Sequence, residues 1–397
     1  MRLSFGIDGH FGALRLILVS LIVAALAAAC GAPGGGGGGP GPAITGATGT
    51  VKVALLLPIS ASGSTPGVAK ALKQAAELAL FDFDNPNVSL VPKDTKGTPE
   101  GARLAAESAV QDGAELIIGP LFAQEVTAAA PVARQRGVSM IAFSSDEKVA
   151  GNGVYLLSFL AGRDVPRIVQ FAMSRGKRNF AELIPQSAYG RIAETAFARA
   201  VSSGGGQAPV RATFPPDDAN GMLGPVRQVA NAVKSGQPVD ALFLPAGRDE
   251  LPSLAPLLAS EGVSSGRVQF IGTGQWDYSN IAADRALIGG WYPAPDPRGW
   301  SNFVQRYSKT YGASPPRIAS LAYDAVSLAV SLSQNPPGQR YTFSQLTRPS
   351  GFSGVDGLFR LLSDGTCERG LAILEVQPGG PRVIDPAPSS FATASTY

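Results

Sequence analysis

The sequence predicts an α/β protein made of two doubly wound parallel-sheet lobes. Three observations carry that expectation. Short β-rich runs alternate with longer helical patterns, the alternation starts again in the second half of the body, and the body is long. Roughly 335 residues lie between Thr50 and the Pro- and Ser-rich end near Pro386, more than one hydrophobic core usually serves.

The first unit opens with VKVALLLP (51–58) and a helix over Val68–Phe83, then VSLVPKD (88–94) and a helix over Pro99–Gln111. ELIIG (115–119), a helix over Gln124–Gln135 and VSMIAFS (138–144) complete it. In the first helix Val68, Leu72, Ala76, Ala79, Leu80 and Phe83 recur at spacings of three and four, which places them on one face. Apolar strands between amphipathic helices are the mark of a parallel sheet covered on both sides. The second unit repeats the pattern. Its strands are FAELIP (180–185), VRATFP (210–215), DALFLP (240–245) and VQFIGT (268–273), with helices over Tyr189–Val201, Leu223–Lys234 and Glu250–Ser260.

The N-terminus reads as an export signal followed by a tether. Arg2 and Arg15 precede an apolar stretch, Leu16–Ala29, broken only by Ser20 and too short to span a bilayer comfortably. Ala27, Ala28 and Ala29 then precede Cys30, a junction that resembles a bacterial lipoprotein signal, in which the cysteine is acylated and becomes the mature N-terminus. Leu26 stands four residues before Cys30 rather than three, so cleavage after Ala29 as an ordinary signal is the other reading. Residues 1–29 are thus expected to be removed. Residues 30–50 contain six consecutive glycines with Pro33, Pro40 and Pro42, and would act as a flexible tether. Gly31 is not the aspartate that commonly retains lipoproteins in an inner membrane, which points to the periplasmic face of an outer membrane.

Composition narrows the function. The formal charge is +3, and the signal contributes +1 through Arg2, Arg15 and Asp8, leaving no nucleic-acid footprint. The one histidine, His10, lies in the signal, so the mature chain has neither a histidine-based triad nor a histidine metal site. GVSSG (262–266) matches the nucleophile-elbow pattern but follows a helix and precedes a strand, the reverse of the required order. SDEK (145–148), SRGK (174–177), KSG (234–236) and SQN (333–335) are similar to short elements of penicillin-interacting serine enzymes, in the wrong order and on the wrong elements. No catalytic site, metal or cofactor is read in the chain. With Cys30 acylated, Cys367 has no disulfide partner and is given no chemistry.

Two doubly wound lobes make a cleft, because ligands of open parallel sheets sit beyond the carboxyl ends of the strands. Those ends are polar: SASGS (60–64), PLFAQE (120–125), SSDEK (144–148), QSAYG (186–190), AGRDE (246–250) and TGQWDY (273–278). The candidate ligand residues are Ser60, Ser62, Phe122, Gln124, Ser144, Ser145, Asp146, Tyr189, Arg248, Gln275 and Trp276. For any single serine or aspartate, helix capping is the competing role. For Trp276, Trp291 and Trp300 it is packing.

VKVALLLPIS (51–60), GTPEGARLAAESAVQDGAELIIGP (97–120), AYDAVSLA (322–329) and FSGVDGLFRLLSDG (352–365) resemble the type I periplasmic binding fold of leucine/isoleucine/valine-binding proteins. ALLLPIS, GPLFAQEV and YLLSFLAGRDVPRIVQFAMSRGKR (155–178) are similar, within that group, to the lipoproteins called penicillin-binding protein activators. The resemblance implies three hinge crossings, placed near Leu160, Tyr292 and Pro349. Lobe one would be 51–160 with 293–349, lobe two 161–292 with 350–384, and 385–397 a disordered tail. It also implies a non-enzymatic receptor that closes its lobes on a small polar, amino-acid-like solute for an ABC permease. The alternative is a lobe surface that activates a peptidoglycan synthase. The amino-acid site itself is altered. The serine expected after the third strand is absent, with Gln124 or Glu125 in its place. Ser145 and Asp146 stand where a small residue and a threonine are usual, and the acid that would meet the ammonium aligns with Gly274. Tyr189 matches the family's interlobe tyrosine.

Overall fold

The computed structural model describes residues 49–84 and 86–391; Cys30 and the signal lie outside them. Its first strand, β1 (Val51–Leu57), is buried at every position except Lys52, as a strand covered on both faces must be. Around it lie β2 (Val88–Asp94), β3 (Leu116–Ile118), β4 (Ser139–Ala142) and β5 (Val154–Leu156) in the parallel order β2-β1-β3-β4-β5. The register sets Val51 beside Val88 and Val53 beside Leu116.

Helices α1 (Thr65–Phe81), α2 (Pro99–Gln111) and α3 (Ala123–Gln135) make the crossovers of this sheet. α2 starts where its sequence directs. The Thr98 hydroxyl accepts the Gly101 N–H at 3.0 Å and Pro99 occupies the first helical turn, where its missing N–H costs nothing. α1 turns Ala69, Leu72, Ala76 and Ala79 inward, the three-and-four spacing read from the sequence.

The second sheet begins with α4 (Val165–Ser174) leading into β6 (Asn179–Pro185). After it come α5 (Ala188–Ser203), β7 (Gln207–Phe214), α6 (Leu223–Lys234), β8 (Ala241–Phe243), α7 (Leu251–Ser260), β9 (Gln269–Ile271) and β10 (Trp291–Ala294). The α6 and α7 faces form one core and the α4 and α5 faces another, so the sheet is wound on both sides. The chain then returns to the first sheet through α8 (Pro297–Tyr311) and α9 (Ala319–Ser333), followed by α10 (Phe343–Leu346). A three-stranded antiparallel sheet follows, β11 (Phe352–Gly354), β12 (Gly357–Leu361) and β13 (Cys367–Arg369). β14 (Ala372–Glu375) and β15 (Arg382–Asp385) complete the second sheet, with β14 antiparallel to both β10 and β15.

Core membership locates the crossings. The chain passes from Leu160 in the first core to Val165 in another, from Ala294 back to Phe303, and from Cys367 to Ala372. The third passage corrects the sequence reading, which placed it near Pro349 and gave all of 350–384 to lobe two. Phe352, Val355, Phe359, Leu361 and Cys367 belong to the core of the first sheet. The reason is local. α9 buries Asp324, whose carboxylate accepts the Val355 N–H at 2.6 Å and so fastens the β11–β12 turn to the first sheet's own helix.

The tail differs as well. Asp385 ends β15 and binds the Arg167 guanidinium, and Phe391 is 1% exposed with the Arg360 guanidinium 4.5 Å above its ring. Residues 385–391 are therefore ordered by contact, while 392–397 lie outside the described residues. Among the described residues no helix is long and apolar enough to cross a membrane.

One buried group makes stability depend on pH. Glu182, on β6, is 5% exposed and its Oε2 has no hydrogen-bond partner among the described residues. Burial first, and the charge of Glu194 second, push its carboxyl up to about 7 against the opposing pull of Arg211. A carboxyl raised in the folded state penalises folding once it ionises. The penalty is absent below the unfolded value of 4.5, grows with pH, and is complete above about 7. Glu182→Gln is expected to be more stable than the parent above neutral pH, by on the order of 3 kcal/mol, and equal to it in acid. Urea midpoints measured across this range check it; parallel profiles for the two proteins would refute it.

Candidate functional site

A cavity of about 510 Å³ lies where the three crossings meet. Ser158, Phe159, Leu160 and Ala161 line it from the first crossing, Pro293 and Pro295 from the second, and Cys367, Arg369 and Leu371 from the third. Each sheet adds a polar loop. Ser145, after β4, and Arg317, before α9, come from the side of the first sheet. Tyr189 on α5 and Gly274, Gln275 and Asp277 after β9 come from the second.

The lobe-two wall is held by hydrogen bonds that originate in helix starts and strand ends. Ser187 caps α5 by accepting the Gly190 N–H at 3.0 Å, which sets Tyr189 in the first turn with its hydroxyl donating to Thr273 Oγ1 at 2.7 Å. Burial pushes the Tyr189 phenol up, so it stays protonated. Asp164, at the start of α4, accepts the Gly274 N–H at 2.5 Å, tying the loop after β9 to the first crossing. Burial raises its carboxyl, and hydrogen bonds from backbone N–H groups oppose the rise. Asp277 is also raised by the protein packed around it, with Arg317 pulling the other way.

Two arginines line the same cavity. The Arg317 guanidinium lies 4.5 Å from the Trp300 ring centre and 5.5 Å from that of Phe159, and pairs with Asp356 at 2.5 Å. Arg369 lies 4.8 Å from the Phe159 ring centre and 3.9 Å from the Asp324 carboxylate. Arg163 is satisfied by the Glu147 carboxylate at 2.7 and 3.1 Å. Cys367 donates to the Ser158 carbonyl at 3.2 Å, and burial pushes its thiol up, so it is a packed, protonated group.

Of the residues proposed from sequence, Ser145, Tyr189 and Gln275 line the cavity together. Ser60, Ser62, Phe122, Gln124, Ser144, Asp146, Arg248 and Trp276 do not. Ser60 and Ser62 are exposed in the turn after β1, where the Ile59 and Ser60 N–H groups donate to Asp94 at 3.0 and 3.2 Å. Phe122 is half-buried and Gln124 exposed at the start of α3. Their neighbour Glu125 is fully buried, accepting from the Thr95 hydroxyl and from the Phe122 N–H at 3.1 Å, so it is a cap. Ser144 accepts the Asp146 N–H at 3.1 Å and Asp146 accepts the Lys148 N–H at 3.0 Å, which makes both of them loop-shaping groups. Arg248 is exposed. Trp276 is 0% exposed, its indole donates to the Leu244 carbonyl at 3.1 Å, and a Cβ at Gly272 or Gly290 would lie 2.2 or 2.6 Å from its ring. It is a core residue fitted between two glycines.

Sequence reasoning missed Phe159, Asp164, Asp277, Arg317 and Arg369. Phe159 and Asp164 do lie in the segment whose likeness was noted, and Asp277 sits one residue beyond Trp276. Nothing local marks either arginine.

A ligand-sized cavity between two wound sheets, walled by all three chain crossings, defines a type I periplasmic binding fold. Residues 50–381 match the periplasmic binding protein family, and the chain belongs to it. Solved structures agree in fold. A putative branched-chain amino acid ABC transporter from Rhodospirillum rubrum superposes with a TM-score of 0.75 at 18% identity, over 84% of this chain and 100% of the other. The substrate-binding protein LivJ from Streptococcus pneumoniae, in complex with isoleucine, gives 0.53 at 18% identity over 85% and 100%. A solute-binding protein of an ABC transporter from Rhodopseudomonas palustris, in complex with 3,4-dihydroxybenzoic acid, gives 0.56 at 20% identity over 85% and 96%. No curated protein matches the sequence significantly.

Proposed function

We propose that the protein is an extracytoplasmic solute receptor that closes its two lobes on a small, polar, amino-acid-like molecule and presents the closed form to an ABC permease. One observation carries the reading. The cavity of about 510 Å³ is within the range of small-molecule sites and receives polar groups from both sheets, Ser145 and Arg317 from one, Tyr189, Gln275 and Asp277 from the other. A solute touching both walls would favour the closed arrangement by its contacts alone, which is the energetic requirement for ligand-driven hinge closure. The isoleucine and dihydroxybenzoic acid named for two structural neighbours are molecules of fitting size, and both carry a carboxylate. The role asks for no bond-breaking step, and the protonated Cys367 offers no nucleophile.

A thermal-shift series on the purified chain with leucine, isoleucine, benzoate, short peptides and muropeptide fragments tests this. A solute at about 100 times its dissociation constant stabilises by roughly 2.7 kcal/mol, a rise of a few degrees for a body this size. A shift with at least one small solute is expected. Silence across the series would contradict the receptor reading and favour a surface that acts on a peptidoglycan synthase.

The same reading puts the receptor on a membrane through a lipid at Cys30, with residues 31–50 as slack. Cys30→Ser should move the protein from the membrane fraction, expected to be the outer membrane, to the soluble periplasmic fraction. Unchanged membrane association would remove the anchor.

A further inference from the structure

Among the described residues, Arg369 has the most buried side-chain polar atoms without a hydrogen-bond partner. Its side chain is 7% exposed, it lines the cavity, and Nε, Nη1 and Nη2 have no hydrogen-bond partner among the described residues. A guanidinium carries five N–H donors and does not deprotonate, so burial without partners is costly. What surrounds it answers only part of that demand. The Phe159 and Phe359 rings lie 4.8 and 5.7 Å from its central carbon. The nearest carboxylate, Asp324, is 3.9 Å away, too far for a hydrogen bond, and its other oxygen is occupied by the Val355 N–H. Burial also raises the Asp324 carboxyl, against the pull of Arg369 and the Val355 N–H, which weakens it as a balancing charge.

A second arginine faces the same space. The Arg317 and Arg369 guanidinium groups both sit within 5.5 Å of the Phe159 ring centre, and both line the cavity. The same cavity is lined by apolar Phe159, Ile192, Pro293 and Leu371, with Asp277 close enough to Arg317 to feel its charge. We propose that this hinge end of the cavity is an anion subsite in which Arg369 and Arg317 take the carboxylate of a small organic acid, whose apolar body lies against Phe159, Ile192 and Leu371. The inference rests on the receptor reading and names its ligand class.

The planar guanidinium fork matches a carboxylate with two parallel hydrogen bonds, which would satisfy donors that the protein leaves open. Asp164 and Asp277 line the same cavity, and burial raises both carboxyls. The assignment also moves the carboxylate site. The resemblance to amino-acid binders implied a carboxylate site in the loops after β3 and β4, where Gln124 and Asp146 depart from the family pattern and stand outside the lining, whereas the unsatisfied donors sit at the third crossing.

Calorimetric titration of the full chain with three acids and their amides tests the subsite: leucine, 4-methylpentanoate and benzoate against leucinamide, 4-methylpentanamide and benzamide. At least one acid is expected to bind, with its amide at least tenfold weaker. Arg369→Gln should weaken that acid at least tenfold and leave the amide nearly unchanged. Because Arg369 is buried, Arg317→Gln, at a half-exposed position, provides a second variant, and the acid-to-amide ratio of the parent needs no variant at all. An acid and amide that bind the parent alike, or acid binding unmoved by either substitution, would overturn the anion subsite while leaving the receptor reading intact. Absence of binding by all six to the parent would count against both.

Discussion

The place where the chain crosses for the third time is held by two buried aspartates with the buried Arg369 and the partly exposed Arg317 set against them. Asp324 and Asp356 are fully buried on α9 and in the β11–β12 turn, Arg369 stands on β13, and Arg317 precedes α9. Asp356 accepts from the Ser320 hydroxyl at 2.7 Å and forms an ion pair with Arg317 at 2.5 Å, while Asp324 accepts the Val355 N–H. Burying ionisable groups is tolerable only where opposite charges or donors stand close, which couples the positions of Asp324, Asp356, Arg317 and Arg369. Three elements that could otherwise slide are thereby fixed at the hinge. The cavity inherits that rigidity, because Arg317 and Arg369 are members of the cluster and of the cavity wall at once.

The receptor reading follows from this arrangement. The second sheet contributes a wall positioned by Tyr189–Thr273 and Asp164–Gly274 contacts, both within the second sheet's loops or at the first crossing. The first sheet contributes the arginines and Ser145. Among the described residues, no hydrogen bond of Ser145, Tyr189, Gln275, Asp277 or Arg317 crosses to the opposite wall. Closing one on the other is therefore left to whatever molecule can satisfy the groups on both, and the most demanding of those groups is a cation without a full partner.

Much of the fold was legible in the sequence because strands buried on both faces are written as unbroken apolar runs, and the crossovers as three-and-four patterns. α2 and α6 occupy the residues read for them, Pro99–Gln111 and Leu223–Lys234. α1 begins at Thr65 and not at Val68, since its first turn, Thr-Pro-Gly, has no apolar residue for periodicity to register. The third crossing was misplaced because Phe352, Val355, Phe359 and Leu361 would suit either core; the Asp324–Val355 contact decides, and it joins residues 31 apart. Trp276 looked like a ligand aromatic at a strand end, and only the facing glycines, Gly272 and Gly290, show the slot it fills. The site was less legible than the fold. Strand-end loops could be named, but which of their side chains turn inward, and that an arginine two residues past Cys367 would be buried, depend on contacts that no local pattern records.

The most direct test of the account is hydrogen exchange on the chain with and without a saturating bound solute. The account predicts slowed exchange confined to the cavity wall: residues 158–164, 274–277 and 367–371, contributed by the first and third crossings and the loop after β9. Protection that spares these segments and falls instead on an outer face, such as the exposed sides of α6 and α7, would contradict it.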